Sequence, residues 1–298
     1  MDTLLRFALG PPEPPATDEL AVWWEATAAR RDAWPSPVER AFAGGACADR
    51  LGFAFAGGYR EALRALVPGA TGIAALCATE DGGAHPRAIA TRLEGGRLTG
   101  KKKWATLASH APTLLVVASI GADGAGRNRL RVVRVAANAP GVRLVPASAA
   151  IVPEIPHAAV ELDGVAVAEG DVLPGDGYDD YLKPFRTVED IHVHAALAGY
   201  LVGVARRHAF PRETIERLLA VALAAHALAG CDPKAAATHL ALAGVLAEAR
   251  RAVEEAEAHW RTRPADAERT RWERDRALLD VAGKARAARR EKAWGAAP

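Results

Sequence analysis

The sequence is poor in several features that mark specialised classes of protein. Its 298 residues include three cysteines, widely spaced and without a Cys-x-x-Cys pair; this excludes a disulfide scaffold and a zinc ribbon and favours reduced thiols in a cytoplasm. Lys and Arg number 38 against 36 Asp and Glu, a net charge of +2, which gives no reason to expect nucleic acid or an anionic membrane as partner. No apolar run is long enough to cross a bilayer, and the N-terminal residues do not match a secretory signal.

Common catalytic motifs are missing as well. His192 and His194 are two apart in a predicted helix, whereas metal-binding helices use the i,i+4 spacing that turns both rings to one ion. We therefore expect no metal site. The sequence has no Gly-x-Ser-x-Gly elbow, and no cysteine has an evident histidine partner, so nucleophilic hydrolysis lacks support.

What is present is a folded, core-forming composition in three zones. Half the residues are hydrophobic, and the length suits about two domains. Residues 1–70 are predicted to be helical pieces broken by prolines, with a helix over 19–34 that ends at Pro35 and Pro37 and another over 59–66 that stops at Pro68.

Residues 71–177 alternate short β-prone runs with turn signals. Gly95-Gly96 predicts a two-residue hairpin, because glycine accepts positive φ, and Asp163-Gly164 predicts another. Gly121–Gly126 is interpreted as a hairpin loop rather than a phosphate loop, since a strand and not a helix follows it. Strands without intervening helices predict an antiparallel β-barrel or sandwich. The predicted strands are 73–78, 88–93, 97–104, 114–119, 130–135, 142–145 and 158–167.

Residues 178–298 are Ala/Leu-rich and predict an up-down bundle of four helices near 186–208, 211–228, 233–262 and 266–294. The last helix carries a basic surface, interpreted as a solvated face, with contact to a phosphate-bearing ligand or another subunit as the alternative; its residues are Lys284, Arg286, Arg289, Arg290 and Lys292. The predicted fold class is α+β: abridged N-terminal helices, a central antiparallel barrel or sandwich, and a C-terminal bundle.

One constellation in the middle zone is specific. The run ATEDGGAHP at 78–86 is followed by a hairpin, then GKKKWAT at 100–106 and an apolar strand; AVELDGVAV at 159–167 and DVLPGDG at 171–177 follow. This series resembles the middle domain of the acyl-CoA dehydrogenase family, where Thr-Glu-Pro-Gly-Ala-Gly-Ser-Asp precedes Gly-x-Lys-x-Trp-Ile-Thr. The resemblance covers about 72–207, and the helix–β–helix order agrees outside it.

The resemblance implies a flavoprotein that holds FAD between the β-domain and the bundle and oxidises an acyl-CoA or similar thioester to the α,β-enoyl form. It places Ala78 and Thr79 at the flavin ring edge and Trp104 and Thr106 against the isoalloxazine and pyrophosphate. His85 stands where the family has its phosphate-binding Ser. An external acceptor such as an electron-transfer flavoprotein is the implied partner, and fatty acid metabolism the implied setting.

A base is implied by one branch of the family, in which the catalytic Glu opens the first bundle helix; counting back from Gly199, that position falls on Glu189. Asp190 replaces the Arg that follows there, and the interpretation without catalysis is that both carboxylates favour a helix N-terminus.

Two family features are not found: the Arg-x-x-Phe-Gly motif, replaced by residues 225–231, and the later loop that carries the base in most members. Three hypotheses stay open: a shortened FAD-dependent acyl-CoA dehydrogenase, a non-catalytic or half-site subunit of a heteromer, and a scaffold that has lost flavin. Homo- or hetero-oligomerisation is expected.

Overall fold

Helices from both ends of the chain belong to one compact unit. In the computed structural model, residues 2–10, 13–70, 72–147 and 152–296 are described. They divide into a helical unit, residues up to 65 together with those from 187 onward, and a sheet unit, 66–186. The N-terminal helices, predicted as a zone of their own, thus share a unit with the C-terminal ones.

The helical unit begins with four helices. These are α1 (Asp2–Leu9), α2 (Leu20–Asp32), α3 (Pro37–Ala46) and α4 (Leu51–Leu66). α1 and α3 were not predicted, and α4 begins eight residues before the predicted start. α3 opens with a capping box, in which Ser36 and Glu39 satisfy each other's backbone amides, and with Pro37 at its first position. Both features are start signals that the sequence displays.

The rest of this unit is α5 (Lys183–Arg207, whose first turn precedes the unit boundary), α6 (Arg212–Ala229), α7 (Ala236–Arg261), α8 (Ala267–Asp275) and α9 (Gly283–Gly295). The single helix predicted over 266–294 is wrong: a 3₁₀ segment, Arg276–Asp280, and a short turn separate α8 from α9. Gly283, a poor helix former, stands at the start of α9.

Helix α5 packs backbone to backbone against the N-terminal helices. A Cβ added to Gly199 would lie 2.1 Å from the carbonyl oxygen of Phe42, and one added to Gly45 would lie 1.9 Å from that of Ala196. Real Cβ atoms do not approach so closely, so glycine is required at both positions. These contacts make α3 and α5 one packed pair, with Ala195 and Ala196 buried beside them.

The sheet unit contains seven strands: β1 (Ala74–Cys77), β2 (Arg92–Glu94), β3 (Arg97–Thr106), β4 (Thr113–Ala122), β5 (Asn128–Ala136), β6 (Val142–Pro146) and β7 (His157–Ala166). They form one sheet in the order β1-β4-β2-β3-β7-β6, with β5 on the remaining edge of β4. The predicted α+β class, with a central β-region and C-terminal helices, is confirmed. The sheet is not closed as a barrel, so the predicted closed barrel is wrong.

The pairing also corrects the prediction that all strands are antiparallel. β1 and β2 both run parallel to β4. The chain reverses at the β2–β3 hairpin and reverses again before β4, so β4 runs in the same direction as the strands that precede the hairpin turn. The hairpin at Gly95-Gly96 is confirmed, with both glycines at positive φ, and so is the Gly121–Gly126 hairpin loop. The strand predicted over 88–93 starts too early: Ala88 ends a 3₁₀ turn, Pro86–Ala88, and β2 begins at Arg92.

The predicted turn at Asp163-Gly164 is a bulge inside β7. Leu98 pairs with Val165, and Gly100 pairs with Leu162. Asp163 and Gly164 therefore both lie opposite the single residue Thr99. Gly164 has the positive φ of 59° that such a bulge needs. The prediction of a positive φ at Gly164 is therefore confirmed, but the predicted reversal of the chain at this point is wrong.

Candidate functional site

Strand β3 changes, part-way along, which of its residues face the core. Leu98 and Lys102 are fully buried, but the register with β7 shifts between Lys102 and Ala105, and beyond the shift Ala105 is buried instead. Without the bulge, the alternation of a strand would turn Trp104 and Thr106 inward with Lys102. The bulge places them outward, which is how bulges re-aim side chains at functional edges.

Backbone strain is concentrated at this point. Trp104 (φ 56°) and Leu107 (φ 60°) are two of three non-glycine residues at positive φ in the described chain, the third being Ala209. Each such residue costs about 1–2 kcal/mol. Trp104 is 60% exposed although it is the largest kind of apolar side chain. This strain presents an apolar ring to solvent and does nothing for the core, which makes Trp104 a candidate for contact with a ligand.

His157 of β7 completes this surface. It is the cross-strand partner of Thr106, its Nε2 lies 3.3 Å from Thr106 Oγ1, and its ring meets the Trp104 indole edge-on with centroids 6.4 Å apart. Burial lowers the pKa of His157, so the ring is neutral near pH 7. We call Trp104, Thr106 and His157 the indole face. No sequence motif pointed to His157.

The two family-like motifs meet beside the indole face. The backbone amide of Lys103 donates to the Thr79 carbonyl over 2.7 Å, and Lys102 Nζ lies 3.5 Å from the Ala78 carbonyl oxygen. Thr79 is half-buried and Ala78 is buried. The structure therefore places Ala78 and Thr79 against Lys102 and Lys103, on the segment of β3 that also carries Trp104 and Thr106. These are four of the five positions that the resemblance assigned to the cofactor.

A buried ion pair that the sequence analysis missed fixes this meeting point. Lys102 Nζ lies 2.6 Å from Glu80 Oε1, with side chains 0% and 8% exposed, and the Glu80 carboxylate also accepts from the amides of Ala90 and Thr91. Burial would raise the pKa of Glu80, but Lys102 and the Ala90 amide hold it below its usual value. A fully satisfied buried pair specifies one arrangement of the strands.

His85, the fifth position, is exposed and lies at the cap of the 3₁₀ turn Pro86–Ala88. Its Nδ1 accepts from the backbone amide of Arg87 over 3.2 Å, so a neutral ring carries its proton on Nε2 and offers a donor to the outside. Asp81, which adds negative charge to this loop, makes an ion pair with Lys103. The loop chemistry is thus compatible with a phosphate.

In the helical unit, Glu189 is half-buried in the second turn of α5. Helix-terminus electrostatics fall off within the first turn, so the N-terminal interpretation of this residue is not supported. Asp190 is buried and bound by Arg286 at 2.8 Å and Arg289 at 2.6 Å, both from α9. Burial would raise the pKa of Asp190, but these arginines hold it below its usual value.

The basic surface of the last helix is therefore divided. Arg286 and Arg289 are half-buried and committed to Asp190, whereas Lys284, Arg290 and Lys292 are exposed. The prediction of one solvated basic face is wrong for the two arginines that bind Asp190. Two cations of α9 thus bind Asp190, the residue that follows Glu189 in the sequence.

His192 and His194 follow on α5. Both are deeply buried, and burial lowers the pKa of each to about 4. Their Nδ1 atoms lie 2.7 and 2.8 Å from the carbonyls of Val188 and Asp190. A carbonyl only accepts, so Nδ1 carries the proton in both rings. Among the described residues no group of three or more His, Cys, Asp or Glu is arranged to hold a metal ion, and none of the helices has the length and hydropathy to span a membrane.

The residues of the sheet unit fit a flavin on chemical grounds. A flavin is a flat heteroaromatic ring with donors and acceptors along one edge, and it pairs naturally with an exposed indole and neutral hydroxyl and imidazole groups. The indole face has this composition, and it lies at the end of β3, where the backbone is strained. A metal or phosphate alone would not need the indole.

Comparison with known proteins gives similarity in structure but not in sequence. No protein-family model and no curated protein matches the chain. Among solved structures, PigA in its apo form matches with a TM-score of 0.68 at 15% identity, over 99% of this chain and 96% of that one. PigA has also been solved as an FAD complex.

Two further structures match over nearly their whole length. FkbI, for biosynthesis of the methoxymalonyl extender unit of the polyketide Fk520, matches with a TM-score of 0.64 at 19% identity, over 100% of this chain and 98% of that one. The prolyl acyl carrier protein oxidase AnaB matches with 0.66 at 15% identity, over 99% and 97%. The solved structures that match also include a putative acyl-CoA dehydrogenase from Mycobacterium smegmatis, and the chain described here has the acyl-CoA dehydrogenase-like fold.

Proposed function

We propose that this protein is a flavoenzyme that uses FAD for the α,β-dehydrogenation of an acyl thioester. The observation that carries the proposal is Trp104, which a strained bulge presents to solvent beside Thr106 and next to the Ala78-Thr79 corner. The similarity of fold to a protein solved with FAD supports it. When bound, FAD would supply the hydride acceptor for the reaction.

The chain's own residues would divide the binding between apolar contact and hydrogen bonds. Trp104 would pack on the ring system, and Thr106 would form a hydrogen bond with its edge. Ala78 and Thr79, tied by their carbonyls to Lys102 and Lys103, would form the adjoining backbone wall. The outward Nε2 donor of His85 would bind the pyrophosphate in place of the family's Ser.

Glu189 is the residue we assign to removing the α-proton. Its neighbour Asp190 is compensated by Arg286 and Arg289, so the residue beside the base carries no uncompensated negative charge. An adjacent uncompensated carboxylate would raise the proton affinity of the pair. With Asp190 neutralised by the two arginines, Glu189 would act as a single carboxylate base.

The sheet unit also offers a place for the carrier of the acyl group. A groove of about 630 Å³ is lined by two arginines, Arg87 and Arg92, one carboxylate, Glu94, and the polar side chains of Ser119 and Asn128. Its two guanidinium groups outnumber the single carboxylate and suit a phosphorylated carrier, which would be coenzyme A or the phosphopantetheine of a carrier protein. An electron-transfer flavoprotein is the proposed acceptor of the reducing equivalents.

The experiment has two parts. The purified chain should be yellow, with a flavin absorption band, and should oxidise acyl thioesters with an artificial dye as acceptor. Glu189→Gln should abolish this turnover and leave flavin content unchanged, whereas Glu213→Gln, at an exposed position of α6, should alter neither. Unchanged turnover in Glu189→Gln would reject Glu189 as the base.

A second candidate is a half-site subunit of a heteromeric acyl-CoA dehydrogenase. The observation in its favour is that residues 225–231 lack the Arg-x-x-Phe-Gly motif with which the family reaches a partner subunit's flavin. Protein that is colourless alone, and that gains flavin and turnover only when mixed with a second chain, would favour this candidate over the self-sufficient enzyme.

A further inference from the structure

The groove assigned to the acyl carrier opens where strands β2 and β4 separate. The two strands are bridged at Arg92 and Ser119. Beyond that bridge β4 is bulged, because its register with β5 shifts between Ser119 and Ala122. A bulge bends the strand that contains it, and the groove of about 630 Å³ is lined by residues of both strands from this point onward.

Two arginines from different elements line the groove. Arg87 belongs to the 3₁₀ turn Pro86–Ala88, and Arg92 begins β2. Both are exposed, and neither guanidinium group makes an ion pair or a hydrogen bond with another residue that the structure describes. Glu94, the carboxylate of the groove, lies directly opposite Arg97 in the β2–β3 hairpin, and cross-strand neighbours of opposite charge offset each other. The groove thus offers two uncommitted cations.

One asparagine holds the turn that carries Arg87. The Asn128 Nδ2 group donates to the Pro86 carbonyl over 2.9 Å and to the Ile89 carbonyl over 3.0 Å. Because carbonyl oxygens only accept, the atom that faces them must be the amide nitrogen, and both of its hydrogens are used. The two carbonyls lie on either side of Arg87 in the chain, so the backbone of this residue is fixed from both sides.

The same asparagine is linked to the strand that carries Arg92. The Ser119 hydroxyl donates to Asn128 Oδ1 and accepts from the Gly121 amide. The backbone amide of Ser119 donates to the Thr91 carbonyl over 2.7 Å. Every donor of the Ser119 and Asn128 side chains is therefore committed within the chain. These two side chains hold the shape of the groove and leave contact with an anion to the arginines.

We propose that Arg87 and Arg92 form a phosphate clamp and that Asn128 is the positioning residue that fixes it. Guanidinium groups bind phosphate oxygens with paired N–H donors. Two such groups on separate elements act on one ligand only if the elements keep a constant spacing, which the link through Ser119 and Asn128 provides. The inference rests on the proposed function for its ligand, which is the phosphate of phosphopantetheine, either in coenzyme A or on a carrier protein.

The first test is calorimetric titration of the purified protein with phosphopantetheine, with coenzyme A and with pantetheine, which has no phosphate. Pantetheine should bind at least about tenfold more weakly than the other two, because hydrogen bonds to a charged group contribute at least that much. Equal affinity for phosphopantetheine and coenzyme A would assign the clamp to the part that a carrier protein presents. Tighter binding of coenzyme A would assign it to the free coenzyme.

Variants separate the clamp from its support. Arg87→Gln and Arg92→Gln should each weaken phosphopantetheine binding about tenfold, whereas Arg129→Gln, exposed on β5 and outside the groove, should not. Asn128→Leu keeps the side-chain volume without a donor and should match Arg87→Gln. Since the pairing of β2 holds Arg92 without Asn128, the double variant Asn128→Leu/Arg87→Gln should bind no more weakly than Arg87→Gln alone.

Turnover gives a readout that a loss of stability would not move: Arg87→Gln and Asn128→Leu should raise KM for the thioester and leave kcat unchanged. Asn128→Ser, which keeps one donor, should lie between the wild type and Asn128→Leu and serves if the latter fails to fold. Pantetheine binding as tight as that of phosphopantetheine, or wild-type affinity in both arginine variants, would overturn the clamp. Additive losses in the double variant would overturn the positioning role of Asn128.

The binding experiments need no flavin, so the two proposals fail separately. A protein that takes up FAD and oxidises a thioester, but has no preference for the phosphorylated ligands, would overturn the clamp and leave the proposed function standing. A protein that binds phosphopantetheine through Arg87 and Arg92 and takes up no flavin would overturn the proposed function instead.

Discussion

Two regions of the molecule contain polar groups of similar chemistry but use them differently. In the helical unit, Asp190 is buried, charged and bound by two arginines, and His192 and His194 have their Nδ1 atoms on backbone carbonyls. On the indole face, Trp104 is exposed at a strained bulge. The first region is satisfied by its own chain and stabilises the fold. The second carries strain and an unburied ring, which is what a ligand-binding surface requires.

The difference teaches that charge alone is a poor guide to function in this chain. The charged clusters are internally compensated, and Glu80 and Lys102 neutralise each other within the sheet. The candidate cofactor surface is made of neutral groups. Substitutions in compensated clusters should therefore change stability, and substitutions on the indole face should change ligand binding with little effect on stability.

The largest expected effect is the loss of stability on acidification. His192 and His194 have folded pKa values of about 4, below the usual 6.5 of the unfolded chain. The unfolded state therefore binds protons first, so stability present above pH 6.5 is lost as the pH falls towards 4. Each histidine should contribute about 3 kcal/mol to this loss.

Chemical denaturation across this pH range measures the effect. His194→Gln should flatten the fall in the free energy of unfolding, and His110→Gln, at an exposed position, should not. An unfolding free energy that is constant between pH 6.5 and 4 would contradict the assignment of two neutral buried rings.

Glu80→Gln should lower the free energy of unfolding by about 4 kcal/mol, because it leaves Lys102 buried without a charged partner. The matched control is Glu161→Gln on the outer side of the same sheet, where the carboxylate pairs with Arg143 and, at 3.2 Å, with Lys101, which is 76% exposed; solvent screens such pairs, so this loss should be much smaller. Equal losses in the two variants, measured by urea unfolding, would show that burial does not distinguish the pairs.

Asp190→Asn should cost about 3 kcal/mol, since Arg286 and Arg289 would then face each other without an anion. Asp280→Asn removes an exposed partner of Arg250 on the same unit and should change stability by less than about 1 kcal/mol. The thermal midpoints of the two variants, compared at one pH, measure the difference. An Asp190→Asn protein as stable as the wild type would contradict the claim that Asp190 is needed to compensate Arg286 and Arg289.

The smallest effect on stability is expected for a substitution on the indole face, and it tests most sharply whether this face differs from the compensated clusters. Trp104→Asn places a residue that tolerates the left-handed region at φ 56°. The free energy of unfolding should stay unchanged or rise by up to about 1 kcal/mol, since little buried surface is lost. A loss of more than 2 kcal/mol, measured by urea unfolding, would mean that the indole is part of the core and not of a binding surface.

The sequence predicted what local chemistry determines. Gly95-Gly96 defined its hairpin because two consecutive residues at positive φ need no tertiary context. The order of strands could not be derived in this way, because β1 pairs with β4, beyond the intervening hairpin. The sequence of neither strand specifies which strand it pairs with. The capping box at Ser36 was readable from local sequence and was overlooked.

For the candidate site, the resemblance named four residues that the structure gathers, and reasoning from strand periodicity would have placed Trp104 in the core. The bulge at 102–105 reverses that expectation, and its register is set by β7, more than 50 residues away. His157 could not be predicted for the same reason. Its place on the indole face depends on which β3 residue lies opposite, and the pairing of the whole sheet decides that.

The most direct test of the central claim compares two tryptophans of equal exposure. Trp104 and Trp294 are each 60% exposed, but only the first lies on the indole face. Flavin titration followed by visible absorbance and tryptophan fluorescence should show that Trp104→Ala weakens FAD binding at least tenfold, the loss of one aromatic contact of about 1.4 kcal/mol, while Trp294→Ala leaves it unchanged. Equal FAD affinity in the two variants would contradict the account.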